Sequence, residues 1–123
     1  MSFIAINDRI INVDQIDFVN TFSSESAKYV MLNILRFDCM NDAEVKNLAE
    51  TIRKEIAKTP GHKIGVVHQF GACLIPISKI KSVEVSGCKL EIITTNSGQP
   101  YLPFATETEA QEWYRVFKFA TGE

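Results

Sequence analysis

Apolar residues recur along this chain in two phrases written in the same order. Ile11, Val13, Ile16 and Val19 are matched by Ile75, Ile77, Ile80 and Val83, all at one offset of 64. A β-rich run follows each phrase, "KYVMLNILRF" at residues 28–37 and "KLEIITT" at residues 89–95. Each copy then turns helical. Val45, Leu48, Ala49 and Ile52 recur as Ala110, Trp113, Tyr114 and Phe117, now at an offset of 65. The spacing i, i+3, i+4, i+7 predicts an amphipathic helix lying on a sheet. Asn41 is followed three residues on by Glu44, and Thr106 by Glu109. Both are capping-box patterns, in which a side-chain oxygen takes an orphan helix N–H and the Glu bonds back.

Strands are expected at Phe3–Ile6, Ile10–Val13, Ile16–Phe22 and Tyr29–Phe37 in the first copy. In the second they are expected at Lys63–Phe70, Ala72–Ile77, Ile80–Val85, Lys89–Thr95 and Pro100–Phe104. "SSESA", "VSGC" and "TNSGQ" carry turn chemistry between them. "KTPGHK", at residues 58–63, is too short for a flexible linker between domains. The pattern therefore predicts one α+β domain over residues 1–123, built of two repeats, 1–59 and 62–121. Each repeat is an antiparallel β-meander plus a helix, and the pair forms a compact half-open barrel or sandwich. Leu48 and Trp113 are the expected buried anchors of the helices. A meander leaves edge strands, and Tyr29–Phe37 carries no repeated Lys or Pro to protect one, so a two-fold homodimer is expected.

Composition narrows the function classes. The 123 residues are 46% hydrophobic and 23% charged, as in a globular protein large enough to bury a core. A net charge of −2 argues against a large nucleic-acid footprint, which needs clustered Lys and Arg. Cys39, Cys73 and Cys88 are odd in number and show no C-x-x-C spacing, so free thiols are expected rather than disulfides or structural zinc. The opening "MSFIAINDRIINVD" has no basic segment leading into an apolar one, and no apolar run approaches the roughly 18 residues of a membrane span. A cytoplasmic location is expected.

Catalytic chemistry is hard to assemble. His62 and His68 are the only histidines, and no neighbouring third ligand completes a metal site. Pairing Cys39 or Cys73 with His68 shows no sign of a depressed thiol pKa. Asp14, Asp17, Asp38 and Asp42 are scattered at element ends, and no glycine-rich phosphate loop is present. No enzyme, cofactor or metal is expected. Binding chemistry offers more. Arg53 aligns with Lys118 across the repeats, and Arg115 stands near the latter. A guanidinium matches phosphate oxygens in a bidentate way. Arg36 is a third positive group on an ordered element. Asn96 and Ser97 supply hydrogen bonds in the turn before the last strand. Tyr101, Phe104 and Phe119 are the candidate apolar faces for a ring.

The stretch "KLEIITTNSGQPYLPFATETEAQEWYRVF", residues 89–117, resembles the C-terminal part of flagellar FlbD-like proteins: a strand, a Gly-containing hairpin, a strand and an acidic helix start. Over nearly the whole chain, the size, the absence of a catalytic set and the Arg and aromatic residues resemble the phage anti-Thoeris sponge proteins that sequester a cyclic nucleotide immune signal. That resemblance implies a non-enzymatic, oligomeric ligand binder, in a host cytoplasm if phage-encoded. Arg53, Arg115, Arg36, Asn96, Tyr101, Phe104 and Phe119 are then the candidate ligand-binding residues. The alternative is a protein–protein interaction or inhibitor module of pleckstrin-like kind with no small-molecule ligand. Neither reading gives the chain a nucleic-acid or membrane partner.

Overall fold

The computed structural model describes residues 3–96 and 98–122. The first half runs β1 (Phe3–Ile6), β2 (Arg9–Asn12), a single 3-10 turn, β3 (Val19–Ser23), β4 (Lys28–Leu32), β5 (Leu35–Asp38) and α1 (Asp42–Ala57). The second repeats that order: β6 (Lys63–His68), β7 (Gly71–Pro76), a 3-10 turn, β8 (Ile80–Ser86), β9 (Lys89–Thr94), β10 (Tyr101–Pro103) and α2 (Glu107–Ala120). This is the duplicated α+β fold that the pattern predicts.

The repeated phrase is a turn, and its spacing has a physical cause. The 3-10 turns span Val13–Gln15 and Ile77–Lys79, again at the offset of 64. With three residues per turn, positions i and i+3 lie on one side. Val13 and Ile16 therefore enter the core together, and both are buried. The residues that close the two turns have nearly the same backbone: Ile16 at φ −80°, ψ 117° and Ile80 at φ −80°, ψ 123°. The strand expected over Ile16–Phe22 consequently starts only at Val19. The long strand expected over Tyr29–Phe37 is two strands. Asn33 takes a left-handed φ of 55°, tolerated by Asn better than by most residues, and reverses the chain between β4 and β5.

Five strands form one antiparallel sheet in the order β5-β4-β3-β7-β6, which joins the first half's meander to the second half's hairpin. The junction pairs Val19 with Leu74 and Asn20 with Cys73. The remaining strands form a β10-β9-β8 sheet and a β1-β2 hairpin, and among the described residues no sheet closes into a barrel. Two apolar clusters result. Ile4, Ile6, Val13, Val19, Val30, Leu32 and Phe37 pack with Val45, Ala49, Ile52 and Ile56 of α1. Ile64, Val66, Cys73, Ile75, Leu90, Ile92 and Leu102 pack with Ala110 and Phe117 of α2. Both helices are capped as expected: Asn41 Oδ1 accepts from Glu44 N at 2.9 Å, and Thr106 Oγ1 from Glu109 N at 3.2 Å. The anchors differ from expectation. Leu48 and Trp113 are half-buried, whereas Ile52 and Phe117, one helical turn on, are fully buried.

The segment from Ile16 to Phe18 ties the halves together. Ile16 lies in the first cluster and Phe18 in the second. Between them Asp17 is fully buried. Its carboxylate accepts from Asn96 N at 2.6 Å, Asn96 Nδ2 at 2.8 Å and Thr95 Oγ1 at 3.4 Å. Among the described residues, no helix is long and apolar enough to cross a membrane.

Candidate functional site

Strand alternation sends neighbouring residues to opposite faces of the five-stranded sheet. Val19, Thr21, Val30, Leu32 and Phe37 turn toward α1. Asn20, Phe22, Tyr29, Met31 and Arg36 therefore share the other face, in cross-strand rows Asn20–Met31–Arg36 and Phe22–Tyr29. These residues are half-buried or, for Arg36, exposed. The second half walls this face with Gln99, Pro100, Tyr101 and Pro103, and Phe18 lies behind. The resulting cleft holds about 600 Å³. That is the size range of small-molecule pockets.

The cleft is aromatic with a cationic edge. The Phe22 and Tyr29 rings stack with centroids 5.0 Å apart and planes 14° apart. Arg36 Cζ lies 4.0 Å from the Tyr29 ring centroid, and its Nε donates to Asp38 Oδ1 at 2.8 Å. A guanidinium over a tyrosine face is a favourable cation–π contact and leaves other N–H donors free. Lys89 Nζ sits 5.5 Å from the Tyr101 ring, which is 50% exposed. Burial pushes the Tyr29 phenol up from its ordinary value, so it stays protonated, and Arg36 works against that shift. Gln99 and the Asn20 amide supply neutral donors and acceptors at the wall. Asn20 Oδ1 is held by His68 Nε2 at 2.9 Å. His68 Nδ1 accepts from Phe70 N at 3.3 Å, which assigns the ring proton to Nε2.

Of the residues expected to bind a ligand, only Arg36 and Tyr101 meet in this cleft. Arg53 lies on α1 against Glu50 at 3.6 Å, in a separate groove beside Ala72. Arg115 is exposed on α2, and Phe119 is 88% exposed near its end. Phe104 is buried and stacks on Trp113 at 6.5 Å. Asn96 serves the Asp17 tie instead. Ser97 lies outside the described residues. Reading 29–37 as one strand hid the cleft. It concealed the turn that brings Arg36 back beside Tyr29. The available signal was apolar residues on both faces of β3 and β4, which marks a sheet face with a second covering.

Catalytic alternatives gain no support from geometry. Burial pushes the Cys73 thiol far up, which disfavours a thiolate. Both ring nitrogens of His68 are already bonded. Among the described residues there is no group of three His, Cys, Asp or Glu side chains placed to hold a metal ion.

No protein-family model matches the sequence, and neither does any curated protein. Among solved structures the chain is similar to the LytTr DNA-binding domain of a Bacillus cereus protein described as a methyl-accepting/DNA response regulator. The identity is 10% and the TM-score 0.47, over 95% of this chain and 94% of that one. Two expectations are corrected by this comparison. The first is a cyclic-nucleotide sponge or, failing that, a protein-interaction module, and the second is the exclusion of nucleic acid; the likeness is instead to a DNA-binding domain. The geometry adds a physical reason against the sponge: Arg36, Arg53 and Arg115, meant to clamp one anion together, stand on separate surfaces. At this identity the likeness does not by itself assign DNA binding to the chain.

Proposed function

We propose that this protein is a non-catalytic binder of single-stranded nucleic acid that holds unpaired bases in the cleft between its two halves. One observation carries the reading: a tyrosine capped by an arginine, Tyr29 with Arg36, shares an open cleft of about 600 Å³ with a second, half-exposed tyrosine, Tyr101. Bases stack on aromatic faces and guanidinium planes with little regard to sequence, and each stack contributes about 1–3 kcal/mol. The amides of Asn20 and Gln99 suit the polar edges of a flipped base. With 13 Lys and Arg against 15 Asp and Glu, the chain has no excess of cations to spread along a phosphate backbone. Stacking must then supply most of the affinity, and salt dependence should be shallow.

Fluorescence anisotropy with labelled ten-nucleotide single strands of DNA and RNA, beside the matching duplexes, tests this. Single strands are expected to bind and duplexes not. Tyr29→Ala and Tyr101→Ala should each weaken binding about 5- to 150-fold, with circular dichroism confirming that the variants fold. Absence of single-strand binding at about 100 μM protein, the weak end of non-specific nucleic-acid affinities, or binding that ignores both substitutions, overturns the proposal.

A further inference from the structure

The internal repeat uses one kind of strand junction once and leaves its two complementary edges open. In the junction, β7 adds to β3, and Leu74 packs against the first half's core beneath α1. By the offset of 64, β2 corresponds to β7 and β8 to β3. The 3-10 turns that directly follow β2 and β7 support the correspondence, since Val13–Gln15 and Ile77–Lys79 stand at the same offset. Yet among the described residues β8 is the terminal strand of its sheet, and β2 pairs with β1 alone.

Transferring the junction's register onto these edges gives a definite pairing. Val19 with Leu74 becomes Val83 with Ile10, and Asn20 with Cys73 becomes Glu84 with Arg9. Each member of that pairing lacks something. Ile10 is 77% exposed, a large β-branched side chain turned to water. A groove of about 140 Å³ between β8 and α2 has Ile80, Val83, Tyr114 and Phe117 in its floor and Lys81, Ser82, Lys118 and Thr121 around them. The four apolar residues are the counterparts of Ile16, Val19, Ala49 and Ile52, the cluster against which Leu74 packs. Glu84 stands directly across the strand from Glu91, an unfavourable like-charge pair, while Glu91 is bridged to Lys89 at 3.4 Å. Neither Glu84 nor Arg9 has an ion-pair partner among the described residues.

We infer that a second copy of this chain docks its β2 strand on β8, repeating the β3–β7 junction between molecules. Ile10 enters the groove under α2, and Arg9 neutralises Glu84. Edge addition of this kind draws affinity from main-chain hydrogen bonds and specificity from alternate side chains. The junction is short, so the association is weak and grows with concentration. It closes reciprocally into a dimer or continues head to tail, with the same strand pair in either case. Glu84 lies in one cross-strand row with Glu91 and Tyr101, so this edge adjoins the cleft wall. The strand pairing uses none of the cleft's residues, however, and does not depend on the nucleic-acid reading.

Sedimentation velocity over a broad concentration series is the test. The average mass is expected to rise above the 13.8 kDa monomer as concentration increases. Glu84→Arg alone, Arg9→Glu alone and Ile10→Lys alone should each return the monomer. The combined Arg9→Glu, Glu84→Arg variant should associate again, which a merely misfolded single variant cannot explain. A monomer at every concentration overturns the inference. So does association that survives Ile10→Lys and Glu84→Arg, or a charge swap that fails to restore it.

Discussion

Replacing Asp17 with Asn is the sharpest probe of how the two halves are joined. The substitution keeps the shape of the side chain and exchanges one acceptor oxygen for an NH₂ donor. Oδ2 receives Asn96 N–H at 2.6 Å, while Oδ1 receives Asn96 Nδ2 at 2.8 Å and Thr95 Oγ1 at 3.4 Å. Whichever oxygen becomes nitrogen, a donor then faces an N–H donor. Asp17 has no exposed surface, so bulk water does not reach its side of the contact. Hydrogen bonds to a charged group contribute about 1.5–3 kcal/mol, and a loss of about 2 kcal/mol is expected here. With a denaturant slope of about 2 kcal/mol per molar, the urea midpoint falls by about 1 M. Trp113 fluorescence reports the second half, and far-UV circular dichroism reports both. Their transitions should stay coincident, because Ile16 and Phe18 still lock the two clusters together. Asp8→Asn, at an exposed turn, is the control and should leave the midpoint in place. If Asp17→Asn shifts the midpoint no more than Asp8→Asn does, the tie between the halves contributes nothing and the reasoning fails.

Two further outcomes are expected. Ile52→Ala should cost about 2–5 kcal/mol and Phe117→Ala about 3–5, since both are fully buried at equivalent helix positions; a calorimetric midpoint equal to the parent's for either would show that the helix does not anchor its half. Burial lowers the His68 pKa from 6.5 to about 4, so between those values the unfolded chain binds a proton that the folded chain does not. Stability is therefore full above pH 6.5 and falls as pH drops toward 4. The fall should be roughly 1–2 kcal/mol once partial solvent contact is discounted, and urea midpoints of the parent and His68→Gln from pH 7 to pH 4.5 should diverge accordingly; parallel curves would remove His68 from the account.

Much of the fold was legible in the chain because the deciding forces there are local. The apolar spacing of Val45, Ala49 and Ile52 and its echo at Ala110, Tyr114 and Phe117 required two helices lying on sheets. Asn41 with Glu44 and Thr106 with Glu109 placed their starts. The i, i+3 spacing of Val13 and Ile16 contained the 3-10 turn, although it read equally as a strand, since a short apolar run does not distinguish the two periods. The chemistry of the individual side chains was visible too, and Arg36 and Tyr101 stood out on that ground. What brought those two together was non-local. Asn33's left-handed turn folds Arg36 back over Tyr29, and the β3–β7 junction carries the β9–β10 segment up to the same face. The turn is local, lying three residues before Arg36, but the junction is not specified by residues near Tyr101, because a strand's partner is chosen by packing over the whole sheet. The same non-local choice buried Asp17 between Ile16 and Phe18, turned Asn96 into its partner, and left Arg53 and Arg115 on other surfaces. It also decided which repeated edge was used inside the chain, at β3, and which stayed open, at β8.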